Sequence, residues 1–380
     1  MKKLIYVLLI VVISVSGWLF LAQQEVTPSA SKPASSNNSL LSADNETYAR
    51  VLKPRTFVFP QDHGAHADYH VEWWYFTGNI QSATERKFGY ELTFFRFALT
   101  PEQKLTTSKW RNNQVYMAHF ALTDVQDNRF YADERFSRAG NNLAGAEAEK
   151  YHVWLYDWHA EAGEELGSGI HLEARMDDVA ISLDLKSEKK IALQGVDGFS
   201  QKNAEPGNAS YYYSYTRMAT TGSIQVNQQS FDVTGSSWMD REWSSASLSA
   251  QQAGWDWFAL QLSDSSELMF YRFRRKDGMQ DINDAGAVFN ADGSKISLNF
   301  SDIAIQVLDY WKSPHTHITY PAKWHLSVPK LGLELDITPL INDQELNVRY
   351  RYWEGAVRVT GKKYEQGING QGYVELTGYQ

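Results

Sequence analysis

The chain has 380 residues, a formal net charge of -9, 43% hydrophobic residues and no cysteine. That length holds two domains of roughly 150 residues each with real cores. The acidic balance and scattered basic residues exclude a nucleic-acid binder, which needs a concentrated basic face. The lack of Cys excludes a disulfide framework, a lipid-modified cysteine and a CxxC site.

Lys2 and Lys3 precede an uncharged run from Leu4 to Ala22. This run lies at the border between a signal peptide's apolar region and a spanning helix of about 20 residues. Residues 1–22 therefore read equally as a cleaved signal peptide and as a retained membrane anchor. Either way the lysines stay inside and the body is exported, to the periplasm or the extracytoplasmic face of the inner membrane. Residues 23–50, rich in Ser, Ala, Pro and Asn, read as a flexible linker.

From there short alternating runs dominate. Val71 to Ile80, Phe88 to Ala98, Val115 to Thr123, Tyr151 to Trp158 and Tyr211 to Thr220 are the longest of the first half. The second half continues with runs near 255–262, 268–274, 286–289, 296–300, 303–308, 324–328, 333–338, 350–360 and 373–377. Gly, Asn and Asp separate them, and no helix-period pattern competes. Short strands at such spacing predict an all-β sandwich or barrel. We expect an N-terminal barrel over 51–240 and a C-terminal barrel over 241–380. Thirteen Trp and 21 Tyr suit a barrel interior or a groove for an apolar ligand, as well as ordinary sheet packing.

Two tracts carry the chemistry. The first is FPQDHGAHADYHVEWWYFTGNI, Phe59 to Ile80; the second is GSSWMDREWSS, Gly235 to Ser245, with GWDWFALQL, Gly254 to Leu262, behind it. On an extended strand Glu72, Trp74 and Phe76 share one face. A carboxyl group among rings is either paired or held protonated. A protonated one can give its proton to an alkene, ring faces can stabilise the cation, and water completes a hydration. The candidate acids are Glu72, Asp240, Glu242, Asp256 and Glu354. The competing reading pairs them with Arg96, Arg217 or Arg241 in a filled core. His119 lies mid-strand, placed to pair with Glu72 across neighbouring strands. His63, His66 and His70 match no zinc signature, and neither metal nor cofactor is expected. The Ser-rich stretches lack G-x-S-x-G, and no P-loop or dinucleotide fingerprint occurs.

These motifs, with YSYTRMATTG, YPAKWHLSVP, DQEL, YWEGAVRVTG and GYVELTGY, resemble the AttH-type, lipocalin-like exported proteins over about Phe57 to Tyr379. That family, often called predicted secreted hydrolases, is related to carotenoid 1,2-hydratases. The resemblance implies two consecutive lipocalin-like β-barrel domains, a form that can hold one apolar ligand. The hydratase branch uses a His and a Trp in the segment matching Asp240 to Trp243, with a Tyr and an Asp on a following strand. Trp243 matches the Trp and Tyr271 the Tyr; Arg241 stands where that branch has His and Phe273 where it has Asp. Arg is no base at ordinary pH, so these departures weigh against carotenoid hydration itself.

The expected function is acid–base chemistry of hydratase or hydrolase type on a hydrophobic, isoprenoid or lipid-like, small molecule. Glu72, His119, Asp240 and Arg241 are the expected catalytic set, with Trp74, Tyr215, Trp243, Trp257 and Tyr271 lining the ligand. The alternatives are a non-catalytic carrier or chaperone for lipophiles and a solid-cored envelope protein. The membrane, through residues 1–22, is the other expected partner.

Overall fold

Alternation of residues at period two, with turn residues every few positions, sets an all-β architecture. A computed structural model describes residues 48–99, 112–163, 169–245 and 248–380. The expected signal or anchor segment, 1–22, and residues 23–47 of the expected linker lie outside the described residues. Helix among the described residues is limited to three short 3-10 turns, Gln61–His63, Gly140–Asn142 and Pro329–Leu331.

The first sheet begins with β1 (Val71–Ser82), β2 (Lys87–Ala98), β3 (Gln114–Asp124) and β4 (Arg129–Arg138). It continues through β5 (Ala144–Ala146), β6 (His152–Leu155), β7 (Trp158–Ala162), β8 (Ile170–Met176) and β9 (Val179–Ser187). Then come β10 (Ala192–Leu193), β11 (Phe199–Gln201), β12 (Ala209–Val226) and β13 (Gln229–Ser244). The strands run β4-β3-β2-β1-β13-β12-β9-β8-β7-β6-β5, with β10 and β11 paired to β12. The sheet curls until β3 and β4 approach β5 and β6, enclosing a core that includes Trp74, Phe76, Phe94, Phe120, Trp158 and Trp243.

The second sheet comprises β14 (Gln252–Leu262), β15 (Glu267–Arg275), β16 (Ala285–Phe289), β17 (Lys295–Asn299) and β18 (Ala304–Lys312), then β19 (Thr319–Val328), β20 (Leu333–Pro339), β21 (Glu345–Leu346), β22 (Tyr352–Lys363) and β23 (Gln366–Thr377). Its order is β17-β16-β15-β14-β23-β22-β20-β19-β18, with β21 on β22. In both sheets the first strand pairs with the last, β1 with β13 and β14 with β23. The architecture is two curled, barrel-like sheets.

Two expectations need adjustment. The first sheet runs through Ser244 and the second starts at Gln252, so the crossover follows residue 244 rather than 240. Residues 241–244 belong to β13 because the ladder with β1 continues to Val71↔Ser244. Tyr151 to Trp158 is also not one strand. Leu155 pairs with Trp158 across a turn at Tyr156, whose φ is 58°, and this sends Trp158 into the core while Tyr156 stays exposed.

The barrels pack along a seam. β1, β2, β12 and β13 turn their outer faces toward β14, β22 and β23. β3 is covered in the same way, His119 meeting Tyr352 and Thr123 meeting Gln344 of the second sheet, and it is buried at every position. The seam is tightest at Gly89, where a Cβ would meet Ala356 Cβ at 2.5 Å and the Tyr373 hydroxyl at 2.8 Å. Trp73, Phe95 and Trp255, at the other end, keep partial solvent access.

Candidate active site

The pairing of β1 with β13 brings the two chemistry-bearing tracts together, Glu72 opposite Trp243 and Trp74 opposite Arg241. Strand alternation then divides the residues between two faces. Glu72, Trp74, Arg241 and Trp243 point into the first barrel. Asp240 and Glu242 point into the seam.

Inside the first barrel Glu72 is fully buried and accepts hydrogen bonds from Arg96 and Arg241. The His66 backbone N–H adds two more, at 3.0 and 3.1 Å. Burial would raise this carboxyl, but Arg96 and Arg241 outweigh it and hold it well below the usual carboxylate range. Arg96 also reaches the carbonyls of His66 and Tyr69 at 2.9 and 2.8 Å. The Arg241 guanidinium lies 3.9 Å from the Trp74 ring centroid and binds the Gly64 carbonyl. Trp243 stacks on His66 at 3.7 Å. Together these groups fasten the turn 59–70 onto the barrel.

This knot overturns the expected roles of four residues. Glu72 is a poor proton donor, because the two guanidiniums hold its carboxyl well below the usual carboxylate range. Arg241 is its counter-ion. Trp74 and Trp243 pack against Arg241, and Trp243 also stacks on His66 of the turn. Tyr215 is partly exposed in the same barrel, its hydroxyl 3.5 Å from His63 Nε2. His63 also meets the Tyr213 hydroxyl at 2.6 Å, and His70 packs on Tyr48, so the turn histidines go to separate neighbours.

The seam has the opposite character. On the first sheet one row runs Glu134, His119, Thr93, Tyr75, Asp240, Ser214; the row beside it holds Glu91, Thr77 and Trp238. On the second sheet one row runs Tyr271, Trp257, Glu375, Glu354. Besides Glu134 and Glu242, which are ion-paired, four carboxyl groups, Glu91, Asp240, Glu354 and Glu375, thus enter the seam, and among the described residues none of these four forms a salt bridge. Hydroxyl and indole groups serve them instead.

Asp240 accepts hydrogen bonds from the Tyr212 hydroxyl at 2.5 Å, from Trp238 Nε1 at 2.7 Å and from the Ser214 hydroxyl. Trp257 Nε1 in turn donates to Tyr212 at 3.3 Å. Burial pushes Asp240 up to about 7 despite these donors, and Glu242 adds to the rise. Glu242 is ion-paired with Lys202 at 2.9 Å. The Lys202 ammonium also lies 4.7 Å from the Tyr271 ring centroid, and the Tyr271 hydroxyl meets Ser200 at 3.0 Å.

The other three carboxyl groups lie close together, and Glu91 adds to the raised proton affinity of both Glu354 and Glu375. Glu354 and Glu375 are direct cross-strand neighbours. Tyr75 donates to Glu354, and Trp255 Nε1 donates to Glu375 at 3.1 Å. Burial, with Glu91 and Glu375 nearby, pushes Glu354 well above the usual range; burial and Glu91 push Glu375 up to about 8. Burial also raises Glu91, which accepts from Thr93 at 2.6 Å and Tyr352 at 3.2 Å. His119 Nδ1 lies 2.7 Å from the Tyr352 hydroxyl and Nε2 lies 3.3 Å from Glu134. The expected pairing of His119 with Glu72 does not form, because the two residues occupy opposite faces of the sheet. One oxygen each of Glu91 and Glu354 is buried without a hydrogen-bond partner.

Asp240, Trp257, Tyr271 and His119 of the expected set therefore share the seam. Glu91, Glu375, Tyr75, Tyr212, Tyr352 and Lys202 join them and were not anticipated as site residues. For Glu91 and Glu375 the sequence shows only a single carboxylate inside an otherwise apolar strand, FGYELTFF and GYVELTG. Asp256 stays inside the second barrel, bound to Arg272 at 2.8 Å and Arg274 at 2.9 Å. Asp284 accepts the Phe273 N–H at 2.7 Å beside the seam, and burial pushes it up to about 7.

A void of about 10 Å³, one water's worth, lies at the tight end among Thr77, Trp238, Gln261 and Tyr373. A hollow of about 580 Å³ lies elsewhere, at the β22–β23 turn, and is lined by Asp264, Lys363 and Tyr364 among others. It contains none of the acid–aromatic residues. An ionisable cluster, rather than a large cavity, therefore marks the site.

The family profile described as AttH-like matches residues 50–379. The chain is similar to a crystal structure named for AttH from Nitrosomonas europaea, with 34% identity, 87% of this chain and 100% of that one covered, and a TM-score of 0.78. It is similar in fold to kievitone hydratase from Nectria haematococca, with 15% identity, 87% and 96% covered, and a TM-score of 0.65. No curated protein sequence matches it.

Proposed function

The chain belongs to the AttH-like family, and we propose that it acts in the seam between its barrels by acid–base addition of water to a hydrophobic, isoprenoid or lipid-like, substrate. The observation that carries this reading is Asp240, buried among Tyr212, Trp238 and Trp257 and holding its proton near neutral pH. A general acid works best with such a value. A protein of this fold bears the name kievitone hydratase.

In this mechanism the substrate enters past Trp73, Trp255 and Lys202, the more exposed end of the seam. The Asp240 carboxyl gives its proton to an alkene carbon. The carbocation forms against the faces of Trp257 and Tyr75. Water bonds to it while Glu242, held by Lys202, takes the water's proton. That proton returns to Asp240 by way of Tyr212, so alkene and water give alcohol with no other reactant. Arg241 and Glu72 act only as the fastening behind β13.

Lipophile carriage is the second reading. It is favoured by the burial of Glu354 and Glu375, which raises the proton affinity of both and pushes Glu375 up to about 8, so the seam suits an apolar guest better than its acids alone suggest. One experiment separates the two. Lipophiles that co-purify with the protein are identified by mass spectrometry and incubated with it in H2(18)O. Incorporation of label by the wild type, abolished in Asp240→Asn with ligand capture retained, supports hydration. Capture without label in the wild type leaves carriage. We also propose export through residues 1–22, tested by fractionating cells that express the full chain.

A further inference from the structure

Away from the seam, on the outer face of the first barrel, β6 to β9 carry a second concentration of ligating groups. Strand alternation puts His152, Glu161, His171 and Asp184 in one row across these strands. The adjoining row runs Trp154, His159, Glu173. His159 and Glu173 are direct cross-strand partners, and His171 is the diagonal neighbour on the same face.

One donor atom from each of His159, His171 and Glu173 lies within 4.8 Å of the other two. His159 Nε2 and Glu173 Oε2 are 3.9 Å apart. The two imidazole centroids are 5.9 Å apart and inclined at 42°. Ligands at about 2.0–2.2 Å from a tetrahedral ion sit roughly 3.3–3.6 Å from one another, so rotation of these partly exposed side chains closes the set.

A separate contact prepares the site. Asp184 Oδ1 lies 2.9 Å from His171 Nδ1. A carboxylate there holds the proton on Nδ1 and leaves the Nε2 lone pair as the ligand, the arrangement that orients metal-binding histidines. The strands are hydrogen-bonded neighbours, so the backbone fixes the spacing before any ion arrives.

We propose that His159, His171 and Glu173 form a divalent transition-metal site, of the zinc class, on the outer face of β7 and β8. Two imidazoles and one carboxylate select a borderline ion such as Zn2+ or Co2+ over Mg2+ or Ca2+. Three protein ligands leave the fourth position to water or to a group from outside the chain. No residue of the apolar cluster in the seam comes from these strands, so the site stands independently of the reading given for Asp240.

Untagged protein stripped with EDTA and titrated with Zn2+ by calorimetry tests this, with Co2+ absorbance reporting coordination. One equivalent of each is expected to bind. His159→Ala and His171→Ala should each weaken Zn2+ by at least tenfold, and Asp184→Asn should weaken it by about tenfold through lost orientation. His159→Gln and His171→Gln repeat the measurement with bulk retained, and far-UV circular dichroism confirms folding. Absence of a stoichiometric Zn2+ site in the wild type, or unchanged affinity in both His variants, overturns the proposal.

Discussion

Replacing Asp240 with Asn tests the seam directly. Burial pushes the folded carboxyl up to about 7 from its ordinary 3.8. That gap of about three pH units corresponds to about 4 kcal/mol of preference for the protonated form. The sign follows from the raised value. Between the unfolded and folded pKa the native state binds the extra proton, so stability is complete at low pH and is lost as pH rises through 7. Integrating between pH 5 and 8 gives a loss of about 2.5 kcal/mol from this group alone. Asp240→Asn carries no such proton. It adds a pH-independent cost of about 1–3 kcal/mol, because its amide N–H2 meets a donor among Tyr212, Ser214 and Trp238. Urea unfolding of both proteins at several pH values, followed by Trp fluorescence and circular dichroism, measures the difference. The stability advantage of wild type over variant should shrink by about 2.5 kcal/mol between pH 5 and 8. A difference constant with pH would mean that Asp240 is ionised throughout, and the proton-donor reading would fall with it.

Glu72→Gln should destabilise the protein by about 3–5 kcal/mol in the same melts, because Arg96 and Arg241 lose their buried counter-charge; a change below about 1 kcal/mol would contradict the knot. Its pH dependence has the opposite sign: the stability Glu72 contributes is present above 4.5 and lost as pH falls through its depressed folded value. Tyr352→Phe removes the hydroxyl between His119 and Glu91 and should cost about 1–3 kcal/mol by unfolding assays. Gly89→Val should loosen the seam without emptying either core, since the new side chain meets Ala356 and Tyr373. Faster limited proteolysis between Ser244 and Gln252 is its expected signature, and an unchanged cleavage rate would argue against tight packing there.

The strands were legible because period-two alternation and Gly, Asn and Asp turns survive in every part of the body. The meeting of the two tracts was legible as well. The division of their residues between faces was not. Asp240 and Arg241 are neighbours in sequence and must lie on opposite faces, but which one joins Glu72 depends on the register, Trp74↔Arg241 and Tyr75↔Asp240. That register comes from the ladder as a whole. Glu91 and Glu375 were missed for a related reason. Each looks like the solvent-facing residue of a half-buried strand until the second barrel covers that face. Tyr75 and Tyr212 matter through their hydroxyls, and nothing in a strand pattern shows where a phenol will point.

The distribution of arginine sets the seam apart from the two barrel interiors. Each barrel interior holds a carboxylate clasped by two arginines, Glu72 by Arg96 and Arg241, and Asp256 by Arg272 and Arg274. For Glu72 the clasp outweighs burial and holds the carboxyl well below the usual carboxylate range. Apart from Glu242, which pairs with Lys202, the seam acids Glu91, Asp240, Glu354 and Glu375 have no such clasp. They are buried among phenols, indoles and hydroxyls, which hydrogen-bond a carboxyl group without fixing its charge. Asp240 and Glu375 reach about 7 and about 8 as a result, where small changes in surroundings move a proton. Burying neutral acids at a protein interface costs stability unless each is served by hydrogen bonds. The unpartnered oxygens of Glu91 and Glu354 show that here this requirement is incompletely met. An arrangement that packing alone would have replaced with apolar side chains is consistent with a site kept for its proton chemistry.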